Sequence, residues 1–233
     1  MATAAIVWKE GDQTRVAELR ENSPNFVGRA AGSMVMLDDR TISRQQAIIK
    51  CEDGAYMVEN LSTTNPTQLN EKPISGLAKL QDQDVINVGA VRLVFNDLAA
   101  SATISGPNCS HCKRENSASD KDCWYCGTSL VNAPTTIKER RIAACRVLAG
   151  EKKYDIFSGE ALALKAGGEA EVGHPEKLPA GASATIEPAG GGIKLRVLSG
   201  EVRVGGQPAS DGAALATGDE VSVDGGSYVV IAS

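Results

Sequence analysis

Between Ala4 and Phe95 the apolar residues come only in short runs, and no helical period is sustained across them. Ala4 to Trp8, Thr14 to Leu19, Ser33 to Leu37, Ala47 to Ile49, Tyr56 to Val58, Asp84 to Val88 and Val91 to Phe95 are each a strand's length, with turn residues between them. Runs of that length, broken by Gly, Asp and Asn, bury a face by pairing as strands. With 24 glycines in 233 residues, the chain is supplied with turns for such a plan. The Gly89-Ala90 pair reads as a hairpin turn that closes the sheet, and the expected fold class is all-β.

The polar residues of this region fall on the turns. In order come Gly28-Arg29, then Thr41-Ile42-Ser43-Arg44-Gln45-Gln46-Ala47, then Asn60-Leu61-Ser62-Thr63-Thr64-Asn65-Pro66-Thr67-Gln68-Leu69-Asn70. An arginine after a glycine, a serine beside a second arginine and a Thr-Asn pair offer guanidinium donors, a hydroxyl and an amide. Charge-assisted bonds from a planar guanidinium are the strong kind, so loops that converge this set on a rigid sheet suit a phosphate dianion. Taken one at a time, the same groups also make the ordinary polar rim of a β-sandwich. Order and spacing separate the two readings.

Order and spacing resemble the forkhead-associated (FHA) domain, a β-sandwich that binds phosphothreonine peptides. That family's pattern runs Gly-Arg, Ser-Arg-x-His-Ala, Asp-x-x-Ser-Thr-Asn-Gly-Thr-x-x-Asn-Gly and Gly-Asp-x-Ile-x-x-Gly. Here Gly28-Arg29, Ser43-Arg44-Gln45-Gln46-Ala47, Asn60 to Asn70 and Gln83-Asp84-Val85-Ile86-Asn87-Val88-Gly89 stand in the same order. The resemblance implies that Arg29 and Ser43 hold the phosphate, that Arg44 assists from the same loop, and that Thr64 and Asn65 hold the next loop against the peptide backbone. Gly28, Gln46 and Asn70 then support the loops. Three positions depart from the pattern: Gln46 for a buttressing histidine, Pro66 for a turn glycine and Asn60 for an aspartate. Glutamine still donates and accepts, and proline suits turn positions by fixing φ, so the departures bear on affinity more than on fold.

Residues 99–108 are small and polar and read as a linker. They lead into Cys109-Ser110-His111-Cys112 and, ten residues later, Cys123-Trp124-Tyr125-Cys126-Gly127. Thiolates two residues apart on a tight turn can both reach one tetrahedral Zn²⁺ at about 2.3 Å, and two such turns close a structural site. The spacing, with its ending Cys123-Trp124-Tyr125-Cys126-Gly127-Thr128-Ser129-Leu130, resembles zinc-ribbon modules. Paired disulfides and a redox-active pair are the alternatives. Both are disfavoured in a chain with no export signal and no βαβ setting. Four thiolates saturate a structural site without His111, so the zinc here serves folding. Trp124, Tyr125 and Leu130 are expected to form the module's small core. Cys51 and Cys145 are left as small buried hydrophobes.

The last ninety residues look like a repeat of the first domain. Glu171-Val172-Gly173-His174 can be laid on Phe26-Val27-Gly28-Arg29, and Ala180 to Ile186 on Ser43 to Ile49. Val204 to Pro208 follows Leu69 to Pro73, and Leu215 to Val223 follows Leu80 to Val88. In that alignment the arginine has become His174 and the serine Ala180, and Ser199-Gly200-Glu201 is too short for the Ser-Thr-Asn turn. A neutral imidazole lacks the bidentate grip of a guanidinium, so this second copy is expected not to bind phosphothreonine, with His174 a surface or turn residue.

The chain thus divides into an FHA phosphothreonine-binding domain at 1–98, a linker at 99–108, a zinc ribbon at 109–130, a linker at 131–141 and a degenerate FHA-like domain at 142–233. The architecture expected is two FHA-like β-sandwiches joined by a small zinc ribbon. Net charge is −5 with no basic face, which argues against nucleic acid as a partner. No run of eighteen apolar residues occurs and Met1 to Trp8 has no basic leader, so neither a membrane span nor a signal peptide is expected and the compartment is cytoplasmic. An enzyme is not expected: no nucleophile–base pair and no glycine-rich phosphate loop opening a helix is found. What remains is a phosphothreonine-dependent adaptor that docks a phosphothreonine-containing protein in Ser/Thr kinase signalling, by family analogy bacterial. Thr135 and Thr136 in the second linker suggest self-association, one chain's phosphorylated linker entering another's first domain. The alternative is a zinc-ribbon, nucleic-acid-associated regulator whose FHA domain recruits it to phosphorylated partners.

Overall fold

The computed structural model describes residues 3–100, 104–117, 120–133, 136–137 and 142–233. They form two compact units, one built on residues 3–100 with 231–233 grouped to it, and one on the described residues from 104 to 230. Helical turns among the described residues are confined to Leu98–Ala100 and Ala166–Gly168, so the protein is all-β.

The first unit is a sandwich of eleven strands: β1 (Ala4–Glu10), β2 (Gln13–Glu18), β3 (Asn25–Gly28), β4 (Val35–Met36), β5 (Ala47–Glu52), β6 (Ala55–Asn60), β7 (Gln68–Leu69), β8 (Lys72–Pro73), β9 (Leu77–Lys79), β10 (Val85–Val88) and β11 (Val91–Asp97). One sheet runs β2-β1-β11-β10-β7-β8 and the other β4-β3-β5-β6-β9. The two-residue period decides which side chains meet between them. On β6, Tyr56 and Val58 are buried while Met57 and Glu59 are half-exposed. Ile6, Val27, Ile49, Val58, Ile86, Leu93 and Phe95 fill the space between the sheets, with the Tyr56 and Phe95 rings 5.4 Å apart. Ser33 to Leu37 yields only the two-residue β4, which pairs parallel to β3 through Val27–Val35 and Gly28–Met36. The β7–β8 hairpin turns through Asn70 and Glu71 at φ of 50° and 67°, the mirror-image turn that matches strand twist.

The second unit opens with β12 (Ile104–Asn108), β13 (Glu115–Ser117) and β14 (Thr136–Ile137), in the order β13-β12-β14. Stretches expected as linkers therefore lend strands to this small sheet. The strands are two to five residues long, too short to leave a periodic trace in the sequence, and the buried Asn116 fastens β13 to β12 by donating from Nδ2 to the Pro107 carbonyl at 3.0 Å. Thr135, residues 138–141 and the side chain of Thr136 lie outside the described residues.

Eleven further strands follow: β15 (Cys145–Ala149), β16 (Lys152–Ile156), β17 (Ala161–Lys165), β18 (Ala170–Gly173), β19 (Ala182–Ala189), β20 (Gly192–Val197), β21 (Val202–Val204), β22 (Gln207–Pro208), β23 (Ala214–Leu215), β24 (Glu220–Val223) and β25 (Gly226–Ala232). Their sheets run β16-β15-β25-β24-β21-β22 and β18-β17-β19-β20-β23, which repeats the first sandwich strand for strand. The hydrogen bonds repeat as well. The Gln81 amide donates to Asp84 Oδ2 at 2.8 Å, and the Ala216 amide to Asp219 Oδ2 at 2.8 Å. Gly205 and Gly206, at φ of 57° and 81°, take the turn that Asn70 and Glu71 take in the first copy.

One part of the expected alignment is displaced. The strand in the place of β3 is β17, where Leu164 pairs with Ala184 as Val27 pairs with Ala47. Glu171 to Gly173 belongs instead to β18, the counterpart of β4, and β18 runs antiparallel to β17. A tight turn through Gly167 and Gly168, both at positive φ, reverses the chain there. The position after β17 that answers to Arg29 is therefore Ala166, not His174.

Candidate functional site

The site lies at one end of the first sandwich, where three segments meet: the turn after β3, the loop between β4 and β5, and the loop between β6 and β7. Gly28 ends β3 against the second of these. A Cβ at Gly28 would stand 2.5 Å from the Arg44 carbonyl oxygen, 2.8 Å from that of Ser43 and 2.9 Å from the Gln46 nitrogen. Only a residue without Cβ permits that approach, and the approach lets the Arg29 amide donate to the Ser43 carbonyl at 3.1 Å and the Ala30 amide to the Arg44 carbonyl at 3.0 Å. Arg29 Nε donates to the Ile42 carbonyl at 3.2 Å. The Arg29 side chain is thereby aimed along the loop that carries Ser43, while remaining exposed.

Gln46 joins the two long loops. It is fully buried; its Oε1 accepts the Ser43 amide at 3.0 Å and its Nε2 donates to the Asn65 carbonyl at 2.7 Å and to Thr67 Oγ1 at 3.3 Å. Every hydrogen-bonding capacity a histidine would supply from this position is available from the glutamine amide. Asn65 returns the link, its Nδ2 donating to the Thr41 carbonyl at 2.9 Å. Thr41 is fixed by Asp39, whose carboxylate accepts the Thr41 hydroxyl at 2.7 Å and its amide at 2.8 Å. Those two bonds, the hydroxyl's first, hold the Asp39 carboxyl below its ordinary range.

Of the residues expected at the site, the structure thus brings Gly28, Arg29, Ser43, Gln46 and Asn65 together. Arg44 is exposed on the same loop as Ser43. Thr64 is exposed, its amide donating to Ser62 Oγ at 3.4 Å. Asn70 is not brought in: it sits at the Val85 end of β10, where Nδ2 donates to Asp84 Oδ1 at 2.8 Å and Oδ1 accepts the Val85 amide at 3.0 Å. It fastens the β7–β8 hairpin to its neighbour. Two residues to which the motif assigns no role tie the third segment down. Asn60 Oδ1 accepts the Thr67 amide and hydroxyl, both at 3.0 Å. Ser62, also buried, contacts Ser43, Oγ to Oγ, at 2.9 Å. The signal for both was only their place inside a turn rich in side-chain acceptors. Beside Asn65 an open groove of about 500 Å³ is lined by Thr41, Asn65, Pro66, Gln68, Asn87 and Gly89.

The corresponding end of the second sandwich carries none of these donors. Ala166 and Ala180 stand for the arginine and the serine, and Ser183 Oγ, in the place of Gln46, donates to Asp224 Oδ2 at 3.2 Å. A carboxylate there repels a phosphate rather than holding it. His174 lies elsewhere, half-buried and stacked on Trp124 with ring centres 4.0 Å apart.

The four cysteines of the small sheet converge. All their sulfurs lie within 4.8 Å of one another, with Cys109–Cys126 and Cys112–Cys123 at 3.6 Å. A tetrahedron of thiolates about 2.3 Å from a zinc ion has edges of about 3.8 Å, so the set fits such an ion. The two knuckles are built alike. The Lys113 amide donates to the Cys109 carbonyl at 3.0 Å and the Gly127 amide to the Cys123 carbonyl at 2.9 Å, and Lys113 and Gly127 both take positive φ. Leu130 is buried with Cys109 and Cys123. Tyr125, however, is exposed under the Arg114 guanidinium at 3.5 Å, and Trp124 packs on His174, so neither aromatic fills the ribbon's core as expected.

Residues 25–89 match the FHA domain family. Among curated proteins, the glycogen accumulation regulator GarA of Mycolicibacterium smegmatis is 32% identical over 93 residues, which is 40% of this chain and 58% of that protein. The oxoglutarate dehydrogenase inhibitor of Corynebacterium efficiens is 32% identical over 93 residues, 40% of this chain and 65% of that protein. The chain spans less than two thirds of the length of either. A solved chain from a structural and functional analysis of phosphothreonine-dependent FHA domain interactions is 27% identical, covers 40% of this chain and 94% of its own, and superposes with a TM-score of 0.37. No helix among the described residues is long and apolar enough to cross a membrane.

Proposed function

We propose, from the FHA domain that residues 25–89 form, that this chain is a non-catalytic adaptor that docks a phosphothreonine-bearing protein in cytoplasmic Ser/Thr kinase signalling. The observation that carries this reading is the Gln46 bridge, which fixes the Ser43 loop and the Asn65 loop to each other beside Arg29. Arg29 supplies a guanidinium and Ser43 a hydroxyl to the phosphate, with Arg44 as a second cation; Thr64 and Asn65 steady the peptide backbone above the open groove. That curated relatives are named a regulator and an inhibitor is in keeping with a protein that acts by binding. In the same reading Cys109, Cys112, Cys123 and Cys126 hold a structural zinc, and the second, degenerate FHA-like sandwich offers a surface instead of a phosphate site.

Isothermal titration with paired phosphothreonine and unphosphorylated peptides tests the reading. The phosphorylated form should bind at about micromolar strength, near −8 kcal/mol, and lose this with Arg29→Ala. Equal titration of the two forms by the native chain would discard it.

A further inference from the structure

Ser43 and Ser62 face each other across the two recognition loops, Oγ to Oγ at 2.9 Å, and geometry alone leaves open which hydroxyl donates. The surroundings of Ser62 decide it. A serine hydroxyl has one proton to give and two lone pairs to receive with. Both lone pairs of Ser62 Oγ are engaged, by the Thr64 amide at 3.4 Å and the Asn65 amide at 3.3 Å. Its remaining capacity is the proton, and the neighbouring acceptor is Ser43 Oγ. The Ser62 backbone cannot swing away, because Asn60 Nδ2 donates to its carbonyl at 2.8 Å and Asn60 Oδ1 accepts its amide at 3.3 Å. Ser62 is buried and Ser43 half-buried, so the bond is shielded from water on the Ser62 side while Ser43 stays open toward a ligand.

We propose that Ser62 is a positioning residue for the anion site: it donates its hydroxyl proton to Ser43 Oγ and so leaves the Ser43 proton free to point at a phosphate oxygen. This inference rests on the phosphothreonine reading of that site. Two consequences distinguish it from a turn that is merely well packed. The Ser43 hydroxyl is polarised by the bond it accepts, which makes it the stronger donor toward an anion. The Thr64 and Asn65 amides, the Ser62 hydroxyl and the Ser43 hydroxyl form one directed chain whose last proton is aimed outward.

A double-mutant cycle tests this on the full chain, with a nine-residue peptide centred on phosphothreonine that wild-type protein selects from an oriented library, and with its unphosphorylated twin. Ser62→Ala should weaken phosphopeptide binding about fivefold, the scale of one hydrogen bond. Because Ser62 acts through the Ser43 hydroxyl, adding Ser62→Ala to Ser43→Ala should change affinity less than about twofold. Thermal melts of each variant accompany the titrations, and if Ser62→Ala fails to fold, Ser62→Cys, a weaker donor of similar size, takes its place in the cycle. Equal losses from the Ser62 substitution in both backgrounds overturn the proposal while leaving the phosphothreonine reading intact. Failure of wild-type protein to distinguish the two peptides overturns both.

Discussion

The Gln46 side-chain amide donates to the Asn65 carbonyl at 2.7 Å while its oxygen accepts the Ser43 amide at 3.0 Å, so one buried residue sets the distance between the loop that carries Ser43 and the loop that carries Asn65. Gln46→Ala would leave the Ser43 amide without its acceptor and the Asn65 carbonyl and Thr67 hydroxyl without their donor. Such orphaned groups cost about 1–3 kcal/mol when they stay dry. Urea denaturation should register that loss, and phosphopeptide affinity should fall with it. Gln46→His, which keeps a donor and an acceptor on one ring, should recover most of both. Equal loss in the two variants would show that the amide's bonds are not what holds the loops.

Gly28→Ala is expected to act through the same loops from the other side. Its new methyl would need the Ser43 and Arg44 carbonyls and the Gln46 amide to retreat, and backbone retreats less readily than a flexible side chain. Overpacking of this kind costs about 1–3 kcal/mol. Since the displaced atoms belong to the Ser43 loop, binding should weaken even under conditions where the fold survives. Alanine at Gly32, where a Cβ meets nothing within 4 Å, is the control for a glycine at positive φ in open space.

Much of this was legible in the chain. Strand lengths, the Gly-Arg and Ser-Arg turns and the paired Cys-x-x-Cys knuckles are local signals, each set by a few adjacent residues. The misses are non-local. Glu171 to Gly173 imitates Phe26 to Gly28 in sequence, yet the antiparallel hairpin through Gly167 and Gly168 places it one strand further on, and only pairing reveals that. Ser62 is an unremarkable turn residue until Ser43 stands opposite it. Arg146 reads as one more charge on a strand but is fully buried, forked onto the Asp155 carboxylate with Nε to Oδ1 at 2.6 Å and Nη2 to Oδ2 at 3.0 Å. A buried ion pair needs its partner nine residues away, and no pattern in the neighbouring residues announces it.

The Asp39 carboxylate predicts a pH dependence. Its bonds to the Thr41 hydroxyl and amide lower its folded pKa below the ordinary 3.8. A group depressed on folding stabilises the native loop above its unfolded pKa, and that contribution is lost as pH falls through the folded value. The Thr41 turn, and the Asn65 bond to the Thr41 carbonyl, should therefore hold from neutral pH down to about 4 and loosen only in stronger acid. Following the Thr41 amide resonance through an acid titration checks this. Asp39→Asn, whose carbonyl oxygen still accepts, should flatten the response; an unchanged titration in that variant would place the responsible group elsewhere.

Thiol chemistry separates the cysteines by environment. Cys126 is exposed, and the Thr128 hydroxyl, then the Thr128 amide, lower its thiol to about 5, which favours the reactive thiolate there when no metal is bound. Cys145 lies at the opposite extreme: burial, followed by the nearby Asp155 charge, pushes it up to about 12. Cys51 is half-buried and raised by the same cause. With zinc bound, iodoacetamide at pH 8 should leave the four ribbon thiols unmodified, because each is committed to the ion. A strong chelator should then expose four labelling sites, Cys126 first, while Cys145 resists until the chain is unfolded in guanidinium. Peptide mapping by mass spectrometry after timed labelling reads the order directly. Protein purified without chelator should carry about one zinc per chain. A metal content near zero, or ribbon labelling indifferent to the chelator, would remove the structural zinc and leave four neighbouring thiols in need of another explanation.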